Sequence, residues 1–214
     1  MTFQTENVDA KLIVDKAQQE WIEYDAANES DTRANAPLEM EGQIQQRWEP
    51  PKEEIMRINT DAAISAQMVR TRLGIITRNW RGEIVKAKGI TERRRGEAAT
   101  EETLAIRGAL EMAQGAGWTN IEVQSDCKNV VSLINTDNVQ DCTLQTILED
   151  IDILKKSFDS CNFSFVPRTA NGCSHAMAQF AIKSIRNIEW EGSFPTWLSG
   201  LARKDIGVVA PFFN

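Results

Sequence analysis

Little in this chain supports a zinc, redox or membrane role. His175 is the single histidine, and Cys127, Cys142, Cys161 and Cys173 stand 15, 19 and 12 positions apart without a CxxC pair. That spacing matches neither a zinc site nor a disulfide framework, so the cysteines read as reduced thiols of an intracellular protein, nuclear or cytoplasmic. No run approaches the ~18 to 20 consecutive apolar residues of a membrane span. The N-terminus, MTFQTENVDAK, has neither a basic n-region nor an apolar h-region, and no secretory signal is expected. Internal repeats and low-complexity tracts are also missing.

Positive charge is scarce as well, with 24 Lys and Arg against 31 Asp and Glu. The shortage is local. Met1 to Pro50 holds 11 acidic residues against 4 basic ones, whereas Pro51 to Asn214 holds 20 of each. Within the neutral part, Arg70 to Arg95 carries nine basic residues and two acidic ones. Such a strip is the electrostatic footprint of phosphate binding, or else a solvated hairpin face.

At 214 residues and 42% hydrophobic content the chain can bury one good core beside an extension. Val8 to Ala27 places Ile13, Ala17 and Trp21 at helical spacing. Asn28 to Gln46 is polar, and Pro50-Pro51 closes this acidic arm, since a residue before proline is pushed out of helical conformation. The arm is either packed on the domain or a remnant of a longer polypeptide, and its protein partner is unspecified. Ile55 to Asp61 alternates as a first strand. Arg72 to Trp80 and Glu83 to Gly89 form an antiparallel hairpin through Trp80-Arg81-Gly82. Thr100 to Gly117 reads as a helix with Thr100 as N-cap, followed by a strand at Asn120 to Ser125, helices at Lys128 to Asn135 and Thr143 to Ser157, a strand at Asn162 to Val166 and a long helix at Thr169 to Ile185. These describe an α/β domain with a mixed sheet and helices on its faces. The division expected is 1–50 for the arm, 51–187 for the domain and 188–214 for an irregular tail in which Trp197 and Leu198 dock.

Two of the strands stop on a carboxylate, INTD at Asp61 and VQSD at Asp126, and the helix between them opens with Glu101 and Glu102. If these strands are neighbours and the helix packs on them, three acids meet at the C-terminal edge of the sheet, where ligands sit in such folds. Hard cations such as Mg2+, with Mn2+ as a substitute, take oxygen ligands and keep open positions for water and phosphate. A pair of them can hold an in-line displacement at phosphorus. Singly, each acid also has a plainer reading as a turn residue or a partner of the helix dipole.

Four blocks, INTDAA, TEETLAIRGAL, VQSDCKNVV and FSFVPRTANGCSHAMAQFA, resemble in order and spacing the type 1 ribonuclease H domain, in detail the kind found in plant proteins and at the end of plant non-LTR retroelement polyproteins. The resemblance covers roughly Trp48 to Ile185. It implies a ribonuclease H-like fold with a five-stranded mixed sheet, an antiparallel three-strand meander and helices on both faces. It also implies a metal-dependent endonuclease cutting the RNA strand of RNA–DNA hybrids, with Asp61, Glu102 and Asp126 as metal-binding and catalytic carboxylates. Glu102 rather than Glu101 takes the family position because Ala105 and Arg107 follow at the family's offsets. His175, four residues after Asn171, stands where the family has a fourth carboxylate. A neutral imidazole there can position water or bind metal through nitrogen; the other reading is a histidine packed in the last helix. No counterpart exists for the mobile-loop histidine or the basic handle helix of other members. Nucleic acid would then be held by the strip, through Arg78, Arg81, Lys86 and Lys88, and by Arg168 and Asn171 near the cleft. The alternative function is a weakly active or inactive binding module that keeps the fold.

Overall fold

Alternation of Met56, Ile58 and Thr60 with Arg57, Asn59 and Asp61 makes Met56–Ser65 the first strand, β1. The computed structural model describes residues 47–65, 70–94, 96–136, 142–182, 184 and 186–206. The helix expected in the acidic arm lies outside them. β2 (Arg70–Arg78) and β3 (Ile84–Glu92) follow, then α1 (Ala98–Gly115), β4 (Asn120–Ser125), α2 (Lys128–Thr136), α3 (Cys142–Lys155) and β5 (Ser160–Phe165). A 3-10 turn at Arg168–Ala170 leads into α4 (Gly172–Ile182), β6 (Ile188–Glu191) and α5 (Thr196–Asp205). All these elements belong to one compact unit.

The sheet runs β5-β4-β1-β2-β3-β6. β1, β2 and β3 form an antiparallel meander. β4 joins β1 in parallel, and β5 joins β4 in parallel. The β2–β3 turn closes through Gly82, whose φ of +77° a side chain would strain, while Asn79 Oδ1 accepts from the backbone N–H groups of Arg81 and Glu83. On one face α1, α2 and α3 bury Ile58, Ile75, Ile106, Leu110, Val123 and Ile151 in the main core. On the other face α4 lies against β1, β2 and β3.

α4 sits there because the sheet offers it glycine. A Cβ on Gly74 would stand 2.3 Å from the carbonyl oxygen of Ser174 and 2.5 Å from the backbone nitrogen of Ala178. Helix and strand are therefore in backbone contact. Gly74 is the residue opposite Asp61 in the β1–β2 register, so this close seat also sets the distance from α4 to the carboxylate edge.

Four expectations are corrected. The sheet has six strands rather than five, because Ile188–Glu191 pairs antiparallel with β3. Residues 188–206 are consequently not the irregular tail expected, since they form β6 and α5. Lys86 bridges Glu189 and Glu191 across the new pair, both at 2.9 Å, and Phe180, Trp190 and Trp197 form an aromatic cluster with centroids 5.1 to 6.3 Å apart. Trp197 and Leu198 are buried in α5, as expected of docking residues. Secondly, β1 runs four residues past Asp61, because β2 continues to pair with it as far as Ser65. Thirdly, α1 starts at Ala98 with Glu97 as N-cap and no side-chain cap, so Thr100 caps nothing. Lastly, the helix expected from Thr169 is broken at Asn171, whose φ of -110° divides the 3-10 turn from α4.

Candidate functional site

Parallel pairing of β1 with β4 ends at Thr60 and Ser125. Asp61, still within β1, and Asp126, the first residue after β4, come next, so both carboxylates stand at the same level of the sheet. Glu102 reaches them from the first turns of α1, held by the backbone N–H of Ala62, which donates to Oε1 at 3.2 Å. One ligand oxygen from each of Asp61, Glu102 and Asp126 lies within 4.8 Å of the others. The neighbouring Glu101 goes elsewhere: it is buried and pairs with Arg94 at 3.1 Å.

Compensation of these charges is incomplete. Asp61 is fully buried and its Oδ1 accepts from Arg168 Nη1 at 3.2 Å. The same Nη1 lies 2.9 Å from Asp126 Oδ2. His175 Nδ1 is 3.0 Å from Asp61 Oδ2 and 2.7 Å from Arg168 Nη2; the guanidinium only donates, so Nδ1 either donates its N–H to the carboxylate or accepts from Arg168, not both. Glu102 has no cation of its own, and its Oε2 is buried without a partner. Burial, with the Asp61 and Asp126 carboxylates next, pushes the Glu102 carboxyl up to about 8. Three acids with one orphaned oxygen are a donor set that fits a hard divalent cation, which would relieve both the crowding and the orphan. Arg168, whose side chain is 58% exposed, stands as a monovalent cation against two of the three.

Asn171 has a place other than the one expected. It is fully buried, and its Nδ2 donates to Asp126 Oδ1 at 3.2 Å and to the carbonyl of Thr60 at 2.9 Å. Its Oδ1 accepts from Ser174 Oγ at 2.8 Å and from Asn59 Nδ2 at 3.2 Å. With both amide atoms committed, it orients Asp126 and has nothing left for a nucleic acid. Asn59 and Ser174 were not anticipated. The available signal was that Asn59 precedes Asp61 by two residues and so shares its face of β1.

Two residues of the expected basic surface are internal, and several others are paired. Arg78 is fully buried, stacked 3.5 Å from the Trp48 ring and bonded to Asp205 at 2.8 Å; it cannot reach a phosphate. Arg72, also buried, donates to the carbonyls of Ala181 and Ser184 at the end of α4. Lys86 is held by its two glutamates, and Lys88 lies 4.0 Å from Glu189. Arg81 is exposed and stacks on Trp80 at 4.6 Å. Arg95 lies outside the described residues. Cys127, Cys161 and Cys173 form no disulfide, and the Cys173 thiol donates to Asp205 Oδ2 at 3.2 Å.

A meander extended by parallel strands, with acids from β1, from α1 and from just after β4 at one edge, is the arrangement of a ribonuclease H-like domain. The model of the reverse transcriptase-like family matches residues 59–181, more than half of the 214, and the chain belongs to that family. Among solved structures, RNase H1 from the halophilic archaeon Halobacterium salinarum is 25% identical with a TM-score of 0.56, over 60% of this chain and 97% of its own. The N-terminal RNase H domain of rv2228c from Mycobacterium tuberculosis is 19% identical with a TM-score of 0.55, over 60% and 93%. LC11-RNase H1, isolated from compost by a metagenomic approach, in its complex with an RNA/DNA hybrid, is 18% identical with a TM-score of 0.53, over 58% and 94%. No curated protein matches the chain. Among the described residues, no helix is long and apolar enough to cross a membrane.

Proposed function

We propose that this chain is a metal-dependent endonuclease that hydrolyses the RNA strand of RNA–DNA hybrids. The observation that carries the reading is the convergence of Asp61, Glu102 and Asp126 within 4.8 Å, with a buried Glu102 oxygen left unpartnered. These three would hold the cation, Mg2+ or in its place Mn2+, since hard ions prefer oxygen donors. When bound, such a cation supplies Lewis-acid stabilisation and activates water for attack at phosphorus.

The remaining residues prepare the site. Asn171 holds Oδ1 of Asp126 and leaves Oδ2 to Arg168. The N–H of Ala62 fixes Glu102. Arg168 is exposed enough to swing from the carboxylates to a phosphate oxygen, where its planar fork suits phosphate better than a lysine would. His175, on the first turn of α4, contributes an imidazole able to orient water. The substrate class follows the hybrid complex of LC11-RNase H1, and recognition would be by backbone phosphates and 2'-hydroxyls rather than base edges. Among the described residues Arg168 is the cation that touches Asp61 and Asp126, and Arg81 is an exposed cation at the β2–β3 turn.

A binding module without turnover is the second reading. It is favoured by one feature: Arg168 already bridges Asp61 and Asp126, so part of the cluster has a counter-ion built in. Incubation of a labelled RNA–DNA hybrid with Mg2+ or Mn2+, alongside Asp61→Asn, separates the two. Cutting of the RNA strand alone, lost in the variant, is the result expected of the nuclease. Hybrid binding without cutting in either metal would establish the module.

A further inference from the structure

The oxygen of Asp126 that Asn171 holds is the last link of a polar chain that begins outside the region matched by the family. Trp48 Nε1 donates to Asn59 Oδ1 at 2.9 Å, and Arg78 Nη2 donates to the same oxygen at 3.3 Å. Indole and guanidinium are donors only. They therefore oblige Asn59 to present its oxygen to them and its Nδ2 to Asn171. That amide must then offer its own oxygen to Asn59 and its Nδ2 to Asp126. Gln124 Oε1, which accepts from Asn59 Nδ2 at 3.2 Å, and the Thr60 carbonyl, which accepts from Asn171 Nδ2 at 2.9 Å, favour the same polarity, so the Trp48 and Arg78 donors reinforce the orientation in which an N–H is aimed at the carboxylate.

The starting end is itself anchored by flanking segments. Trp48 lies eleven residues before Asn59 and covers the Arg78 guanidinium. Asp205, at the end of α5, fixes the opposite edge of that guanidinium. Neither residue falls within 59–181. If Asn59 lost its donors, its amide could turn over, Asn171 could follow, and an oxygen would then face Asp126 Oδ1 and the Thr60 carbonyl. Acceptor against acceptor would push Asp126 away from Asp61. Burial of every member makes such a reversal costly and the native polarity firm.

We infer that Trp48, Arg78 and Asn59 form a positioning relay that orients Asp126 through Asn171, so that the segments carrying Trp48 and Asp205 are part of the metal site's framework. This rests on the metal-binding reading given above for Asp61, Glu102 and Asp126. Trp48→Phe keeps a ring over Arg78 and removes one N–H; Asn59→Leu cuts the chain in the middle; Leu148→Ala, in α3, loosens the core without touching the relay. In the metal-free full chain, the Asn171 side-chain amide signals in a 15N correlation spectrum shift in Trp48→Phe and Asn59→Leu and stay in place in Leu148→Ala. Loss of an outer partner typically weakens a metal site ~10 to 100-fold, and calorimetry with Mg2+ should show about a tenfold weakening for Asn59→Leu, a smaller one for Trp48→Phe and none for Leu148→Ala. Unmoved amide signals in Trp48→Phe would overturn the relay, as would Mg2+ affinity that follows melting temperature alone across the three variants. Should the unaltered chain give no Mg2+ heat, the nuclease reading fails, while the amide signals still decide the relay. If Asn59→Leu does not fold, Trp48→Phe carries the test.

Discussion

At the β1–β4 edge one partly exposed guanidinium serves two of three carboxylates, whereas several cations on and beside β2 and β3 have anions or carbonyls of their own. Arg78 has Asp205, Lys86 has Glu189 and Glu191, Arg94 has Glu101, and Arg72 has the end of α4. The first region is left short of countercharge and most of the second is answered, Arg78 Nε and the exposed Arg81 aside. Ligands are drawn to charge that the fold has not already answered, so the acidic edge is where a cation gains most, and the basic hairpin is mainly structural.

The comparison is broken most severely at Asp61. Asp61→Asn removes charge from the most buried member of the cluster and should lower kcat on a hybrid by at least ~10²-fold, the scale seen when a preorganised electrostatic group is lost, with little change in melting temperature; near-normal turnover would place the chemistry elsewhere. On the hairpin side, Arg78→Ala leaves Asp205 with the Cys173 thiol as a partner and opens a void beside Trp48. Breaking a buried pair in this way costs about 3 kcal/mol, to be read from the denaturant midpoint, and a loss under 1 kcal/mol would show that the pair is not felt.

The shortage of countercharge also has a pH signature. In metal-free protein the Glu102 carboxyl is raised by burial and then by its neighbours to about 8 from an ordinary 4.5. The folded state therefore binds more protons than the unfolded state within that window, and stability that is full below the lower value falls as pH rises toward 8. Thermal melts in a chelator at pH 5, 6.5 and 8 should show this decline. Glu102→Gln should flatten it, and a slope that survives the variant would assign it to another group. The smallest effect is expected on the exposed hairpin. Arg81→Ala should leave stability within ~0.5 kcal/mol and reduce the salt dependence of hybrid binding by about one phosphate contact, while Lys86→Ala leaves that dependence unchanged.

Much of this was legible before any coordinates. Two alternating runs that end on Asp, and a helix whose Glu102 stands at a fixed distance from Ala105 and Arg107, carry their own geometry, because strand and helix periodicities are local. Charge could be counted but not placed. Arg78 and Arg81 are equivalent in the sequence, and only the tertiary positions of Trp48 and Asp205 make one a buried strut and the other a surface cation. β6 escaped for a related reason. Four residues with two glutamates show no hydrophobic run, and their strand character comes from Lys86 and Lys88 across the ladder, about a hundred residues away. Asn171 looked like a ligand contact because buried polar residues announce no burial; its partners lie on β1 and after β4.

Gly74 gives the site a built-in calliper. The seat of α4 is set by the absence of a single methyl group, with 2.3 Å between an imagined Cβ and the Ser174 carbonyl where ordinary contact would be roughly 3.5 Å. Gly74→Ala would work as a shim, lifting the helix and with it Asn171 and His175, while Asp61, Glu102 and Asp126 stay on β1, α1 and the loop after β4. The jaws of the cleft could in this way be opened by roughly an ångström without altering any group that lines it, a displacement large enough to matter for reacting groups.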